Sequence, residues 1–194
     1  MKRLLLILIL TFSFQSWTKA EDISDFEIEG MSIGDSALDF FSKSQILDNI
    51  MDYYIYDDFQ TSEISRSEKF IKFESINFSF KKKDNEYKIV ALSGFNFYKK
   101  NIKKCYSKMK VVDKEINYMF NNLERQDENT KHSADKSGKS TLKAIRYWFP
   151  DDSLISIVCY DWSDKITKEK RWTDNLTVEI TTNEFNDWLL KQGY

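Results

Sequence analysis

The sequence predicts an α+β domain: an antiparallel sheet of about five strands, with one long helix and terminal helices packed on one face. Three observations indicate this class. Apolar and polar residues alternate at 76–81, a period of two that is typical of a half-buried strand. Between 102 and 120, apolar residues recur mostly at steps of three and four, which places one apolar stripe along a helix. The alternation returns at 142–160 and 176–181, as expected for an antiparallel sheet with one face covered and one partly wet.

The first residues have the pattern of a secretory signal peptide. Two basic residues precede an apolar stretch at 4–14, and Thr18 and Ala20 are small enough for the positions before a cleavage site. The apolar stretch would form a helix about 16 Å long, roughly half of a bilayer core, which disfavours a membrane anchor. No cysteine directly follows it, as a lipoprotein anchor would require. We therefore predict a signal peptide at 1–20 and no membrane span after its removal.

Removal of this segment would leave a single domain at 21–194. Without Lys2, Arg3 and Lys19, 26 basic and 31 acidic residues remain, a formal net charge of −5. A mixed, mildly acidic surface does not favour nucleic acid as a partner. One proline and five glycines in the whole chain are too few for a linker-rich protein. We expect a periplasmic or secreted domain.

The first half of the domain is predicted to contain short helices and a hairpin. The pattern Ser36-x-x-Asp39 is typical of a helix start. Residues 53–68 are polar or have no clear period. Strands are predicted at 76–81 and 87–98 around a polar turn, and the long helix follows.

The second half begins with a segment near 123–140 that is charged and polar and contains no Phe, Tyr or Trp. This composition predicts a mobile surface loop. Residues 163–174 are predicted to form a charged connection. The elements predicted after the loop are strands at 142–149, 154–160 and 176–181 and a C-terminal helix that begins near Thr181.

Two cysteines, Cys105 and Cys159, lie on otherwise apolar patterns. An even number of cysteines in an exported chain favours a disulfide, here between the long helix and a strand. The alternative is a pair of buried free thiols that act as small apolar side chains.

Two short motifs resemble signatures of known sites. Gly34-Asp35-Ser36 is similar to the Gly-Asp-Ser block of a lipase and esterase family, whose nucleophilic serine needs a histidine base. The single histidine, His132, has no aspartate three residues before it, so a helix start explains these residues better. Residues 137–140 are similar to the end of a phosphate-binding loop, but Ser133 stands where that motif requires glycine. A flexible basic loop is the favoured interpretation.

No metal ligand, cofactor site or catalytic residue is predicted. One histidine and two bridged cysteines do not make a zinc site, and the spaced acidic series of a calcium loop is absent from the sequence. The adjacent acids Asp57–Asp58 and Asp151–Asp152 are interpreted as turn or solvated residues. Because catalytic acid pairs of glycosidases are close only in space, a secreted hydrolase with paired carboxylates is the alternative function.

Tyr160, Trp162 and Trp172 are predicted as a possible binding surface. They are large rings near strand ends, and exposed Trp and Tyr side chains are typical anchors for sugars and proteins. The alternative is that these rings belong to the core. We predict a non-catalytic binding or interaction domain whose partner is an envelope protein or a polysaccharide.

Three segments resemble a group of small exported proteins of unknown function from low-GC marine bacteria. They are MSIGDS at 31–36, CYDWS at 159–163 and EFNDWL at 184–189. The resemblance covers most of the mature chain and implies secretion and an α+β fold, without an activity. More locally, 30–41 resembles the strand–Gly-Met-Ser–helix opening of small lipoproteins of outer-membrane assembly.

Overall fold

A computed structural model describes residues 22–52 and 58–192. The predicted signal peptide and most of the aromatic, acidic segment 53–59, including Asp57, lie outside the described residues. The positions of Asp58 and of both members of the other acid pair, Asp151–Asp152, are described.

Eight antiparallel strands form one sheet in the described part of the chain. They are β1 (Ile50–Met51), β2 (Phe59–Ser65), β3 (Ser75–Lys81), β4 (Ala91–Phe97), β5 (Glu124–Lys131), β6 (Thr141–Trp148), β7 (Leu154–Asp161) and β8 (Asn175–Thr181). Their order across the sheet is β1-β2-β3-β4-β8-β7-β6-β5. Two successive meanders therefore meet where β8, the last strand in the chain, pairs with β4 at the centre of the sheet.

Four α-helices accompany the sheet within the described residues. They are α1 (Lys43–Asp48), α2 (Ile102–Met119), α3 (Asp164–Lys170) and α4 (Asn183–Lys191). The long helix α2 is found where the sequence predicts it, but α3 lies in a segment that was predicted to be only a charged connection.

The prediction of about five strands is wrong, because β1, β2 and β5 were not expected. Strand β5 occupies part of the predicted loop near 123–140, and seven of its eight residues are exposed. It pairs in register with β6 along its whole length, from Glu124 opposite Trp148 to Lys131 opposite Thr141. Backbone pairing at the sheet edge makes this segment a strand without an apolar side, so its composition gave no signal.

The main core lies between the sheet and α2, on what we call the first face. Helix α2 buries Cys105, Met109, Val112 and Ile116 at steps of four, three and four, and it packs on β7 and β8. The central strand β8 contributes every second residue to this core, which makes the first face apolar. These residues are Leu176, Val178 and Ile180.

The opposite, second face is partly covered by α4. Phe185 and Trp188 of this helix pack against Phe59 and Ala91, and the Phe59 ring centroid lies 5.1 Å from that of each of the two α4 rings. The prediction that the helices pack on one face is therefore also wrong, since α2 and α4 lie on opposite faces.

Candidate functional site

A groove of about 460 Å³ lies on the second face of the sheet. Phe185 of α4 lines one part of it, and aromatic side chains from the other meander line another part. Hydroxyl and amide side chains from four adjacent strands, β2, β3, β4 and β8, form what we call the polar floor. The polar floor comprises Thr61, Asn77, Ser79, Ser93, Asn175 and Thr177.

The polar floor follows from the period of two in the strands, because residues between the apolar core positions of β8 turn to the second face. Several of its groups are already hydrogen-bonded to each other. The hydroxyl oxygens of Thr61 and Ser79 are 2.6 Å apart, and the Thr177 hydroxyl donates to Asn175 Oδ1 across 3.0 Å. The floor thus presents hydroxyl and amide groups held in fixed positions.

Four rings form what we call the aromatic cluster: His132, Tyr160, Trp162 and Trp172. Trp162 is its centre, with ring centroids 4.5 Å from His132, 4.6 Å from Trp172 and 5.5 Å from Tyr160. Tyr160 and Trp162 have almost parallel planes, 2° apart, because they lie two residues apart at the end of β7. Trp172 remains 38% exposed, so part of its ring is open to a ligand.

Trp162 is held through its backbone but not through its indole N–H. Its amide N–H donates to Asp174 Oδ1 across 2.9 Å. The indole Nε1 is buried and has no hydrogen-bond partner among the described residues, a rare condition for a buried donor.

Asp135 joins the two loops that carry the aromatic cluster. Its Oδ1 accepts hydrogen bonds from the backbone and hydroxyl of Ser137, and its Oδ2 accepts from the backbone and hydroxyl of Ser140. The hydroxyl of Ser163, the residue after Trp162, also donates to Oδ2 across 2.8 Å. These bonds, chiefly those from Ser137 and Ser140, hold the pKa of Asp135 well below its usual range. The aspartate is therefore ionised at all physiological pH values.

The surroundings of His132 favour its neutral form. Burial lowers the pKa of its imidazole, and the nearby charge of Asp135 opposes the shift only in part. The Ala134 backbone N–H donates to His132 Nδ1 across 3.1 Å, which places the ring proton on Nε2. The aromatic cluster consequently adds no positive charge to the groove near pH 7.

Glu179 is the one carboxylate among the described residues that line the groove. It lies on the central strand β8, and the Ser93 hydroxyl donates to its Oε1 across 3.2 Å. Burial raises the pKa of Glu179, while the Ser93 hydrogen bond and the charge of Arg146 lower it.

The structure brings Tyr160, Trp162 and Trp172 together, although they come from β7 and from the connection after α3. Whether they bind a partner stays a prediction. The sequence analysis missed His132, which it placed in a loop, and Glu179, which resembles any outward residue of a strand. The available signals for His132 were that it is the single histidine of the sequence and that large rings are concentrated near one strand end.

Cys105 and Cys159 form a disulfide between α2 and β7, with Cα atoms 6.0 Å apart.

The structure also describes the two short motifs that resemble known sites. In the Gly34-Asp35-Ser36 motif, Ser36 caps a short 3-10 turn by accepting a hydrogen bond from the Leu38 N–H, and its hydroxyl donates to the Glu86 carbonyl. In the segment 137–140, both serine hydroxyls donate to Asp135.

A pair of carboxylates that face each other across the groove, as the hydrolase alternative requires, is not formed by its described lining residues. Burial, and then the charge of Asp174, raise the pKa of Asp161, but neither aspartate lines the groove. The described part of the chain contains no group of three potential metal ligands. Nor does it contain a helix with the length and apolar character to cross a bilayer.

Comparison with protein-family models, curated proteins and solved structures found no match to this chain.

Proposed function

We propose that this chain is an exported, non-catalytic binding domain and that it binds a segment of polysaccharide in the groove on the second face. The observation that carries this proposal is the position of the aromatic cluster directly beside the polar floor. A sugar ring has an apolar C–H face, which packs on aromatic rings, and hydroxyl groups, which form hydrogen bonds with Ser, Thr and Asn. The groove offers both kinds of contact side by side.

The size and shape of the groove support a ligand of this kind. Its volume of about 460 Å³ is in the range of small-molecule sites, and it is open along the sheet rather than enclosed. Trp172 at its edge is partly exposed, while Trp162 behind it is held by three neighbouring rings. The exposed part of the Trp172 ring, supported by Trp162, is therefore suited to a flat, extended ligand.

Two features support export. The pattern at 1–20 is that of a signal peptide. The disulfide between Cys105 and Cys159 is compatible with an oxidising, non-cytoplasmic location.

The test is calorimetric titration of residues 21–194 with a panel of soluble neutral and charged polysaccharides. The Trp172→Ala variant is expected to weaken the observed binding about 30-fold, since an aromatic anchor contributes about 2 kcal/mol. Trp148→Ala is the matched control, because Trp148 is a half-buried tryptophan on β6 that does not line the groove. If no polysaccharide binds, or if both variants weaken binding equally, the proposal is wrong.

A further inference from the structure

We propose that the groove selects a polysaccharide of amino sugars and that the Glu179 carboxylate binds a protonated amino group of this ligand. This inference rests on the proposed function and names the class of ligand.

Glu179 lies on the central strand β8, on the second face, where it lines the groove. In the cross-strand row it lies opposite Ser93 of β4 on one side and Ser156 of β7 on the other. Both neighbours have small side chains, and Ser93 is also part of the polar floor. A ligand group that lies on the polar floor beside Ser93 is therefore adjacent to the carboxylate.

Among the described residues, Arg146 acts on the Glu179 carboxylate only through its charge, without an ion pair between them. No described residue forms an ion pair with Glu179, and no Lys or Arg is among the described residues that line the groove. Arg146 lies in the same row, opposite Ser156 and thus two strands away, but its guanidinium is bound to Glu128. Burial raises the pKa of Glu179 despite the Ser93 hydrogen bond and the charge of Arg146, so its charge is incompletely compensated, and a bound ammonium group would compensate it.

The aromatic cluster favours the same chemistry. A cation beside the faces of Trp and Tyr rings is attracted by their negative π surfaces. Tyr160, Trp162 and Trp172 supply three such rings at the groove, and the neutral His132 does not oppose a positive ligand. An acidic polysaccharide would meet the charge of Glu179 with no Lys or Arg among the described lining residues to offset it. The lining thus favours a cationic polysaccharide over an acidic one, whereas stacking on the rings is open to any sugar.

The experiment compares two probes that differ in charge at one position of the sugar. Short β-linked glucosamine oligomers carry protonated amines in mildly acidic buffer, whereas their fully N-acetylated counterparts are neutral. Because burial raises the pKa of Glu179, each titration is made at both mildly acidic and neutral pH. Residues 21–194 and the variant Glu179→Gln are titrated calorimetrically with both. Glutamine keeps the size and the hydrogen-bonding oxygen of glutamate but removes its charge, so the variant is expected to fold, which circular dichroism checks.

We expect the wild-type domain to bind the glucosamine oligomer at least about tenfold more tightly than the N-acetylated one, as for hydrogen bonds to a charged group. Glu179→Gln is expected to bind the two oligomers with equal affinity, so that the preference of the wild type is lost. In the wild type, added salt should weaken binding of the glucosamine oligomer alone. The salt dependence tests the same contact without a mutation.

The outcomes separate the two proposals. Equal affinity of the wild type for both oligomers, or a preference that survives in Glu179→Gln, overturns the role of Glu179 and leaves the binding groove intact. If neither oligomer nor any other polysaccharide binds, the proposed function fails and this inference fails with it.

Discussion

The Ser163 hydroxyl donates a hydrogen bond to Asp135 Oδ2 across 2.8 Å and so joins the start of α3 to the turn between β5 and β6. Ser163 follows Trp162, and Asp135 follows His132 by three residues. The bond therefore links the two segments that carry the closest ring pair of the aromatic cluster. We regard Asp135 as a positioning residue of the groove, since it does not line the groove itself.

Substitution of Asp135 is expected to loosen the aromatic cluster. In Asp135→Asn, one carboxylate oxygen becomes an amide nitrogen, which cannot accept the bonds from Ser140 and Ser163. We expect a lower Tm, a weaker near-ultraviolet circular dichroism signal from the tryptophans and weaker ligand binding. Asp151→Asn is the matched control, because Asp151 makes similar bonds to Ser153 in a turn away from the groove. An unchanged aromatic signal in Asp135→Asn would contradict the positioning role.

Acid is expected to destabilise the domain partly through Asp135. The pKa of this carboxyl is lower in the folded protein than its ordinary value of 3.8, so the unfolded chain takes up the proton first as pH falls. The stabilisation is complete above about pH 5 and is lost as pH falls through 3.8 toward the folded pKa. The Tm of the wild type should therefore fall more steeply between about pH 5 and 2 than that of Asp135→Asn. Asp113, whose pKa is also lowered, is common to both proteins. Parallel Tm curves would refute the assignment.

The parts of the fold that the sequence predicted are those with an apolar side. Strands β3, β4, β6, β7 and β8 and helix α2 each bury apolar residues that are visible in the sequence, and those of α2 recur at helical spacing. Strand β2 is less visible, because Thr61 and Ser62 are buried polar residues that hydrogen-bond instead of packing. Strand β1 has only two residues.

The candidate site was predictable only in part for a related reason. Large rings such as Trp162 and Trp172 can be recognised as candidate binding residues from the sequence alone. Glu179 and the polar floor occupy ordinary outward positions, and only the order of the strands brings them together on one face of the sheet. The neighbourhood of β4 and β8, which are separated by 77 residues between Phe97 and Asn175, is a tertiary property that no local pattern contains.

The absence of a side chain at Gly94 is required by packing and not by backbone geometry. Gly94 pairs in register with Ile76 and Val178, and the Phe73 ring lies over it, so that an added Cβ would be 2.6 Å from Phe73 Cγ. Gly94→Ala is expected to reduce the free energy of unfolding by about 1–3 kcal/mol, measured in urea. Phe73→Leu in the same chain should recover part of this loss. If the two substitutions are simply additive, the ring is not the cause.

Tyr147 attaches helix α2 to the edge of the sheet. Its hydroxyl donates to Asp113 Oδ1 across 2.6 Å, and Asp113 also accepts from Arg125 of β5 across 2.9 Å. Tyr147→Phe is expected to cost about 1–2 kcal/mol in the free energy of unfolding and to speed amide hydrogen exchange in β5. Tyr106→Phe is the control, because the Tyr106 hydroxyl forms no hydrogen bond among the described residues. Equal effects of the two variants would show that the network is unimportant.

The disulfide is expected to be both stabilising and protected. Cys105 and Cys159 are 54 residues apart in the chain, and closing a loop of this size stabilises a protein by about 4 kcal/mol in the chain-entropy model. Urea unfolding with and without reductant measures this difference. A change in the free energy of unfolding below about 1 kcal/mol would contradict the model.

The burial of the disulfide further predicts how it reacts. Both cysteines are 0% exposed, because the disulfide lies between α2 and the first face of the sheet. A reductant can reach the sulfurs only when α2 separates from β7, so reduction in native buffer should be slow and should accelerate at urea concentrations below the unfolding transition. Timed alkylation of the released thiols measures the rate. A fast reaction in native buffer, with no dependence on urea, would show that α2 is not held on the sheet as described, and labelled thiols before any reductant is added would show that the bridge does not form.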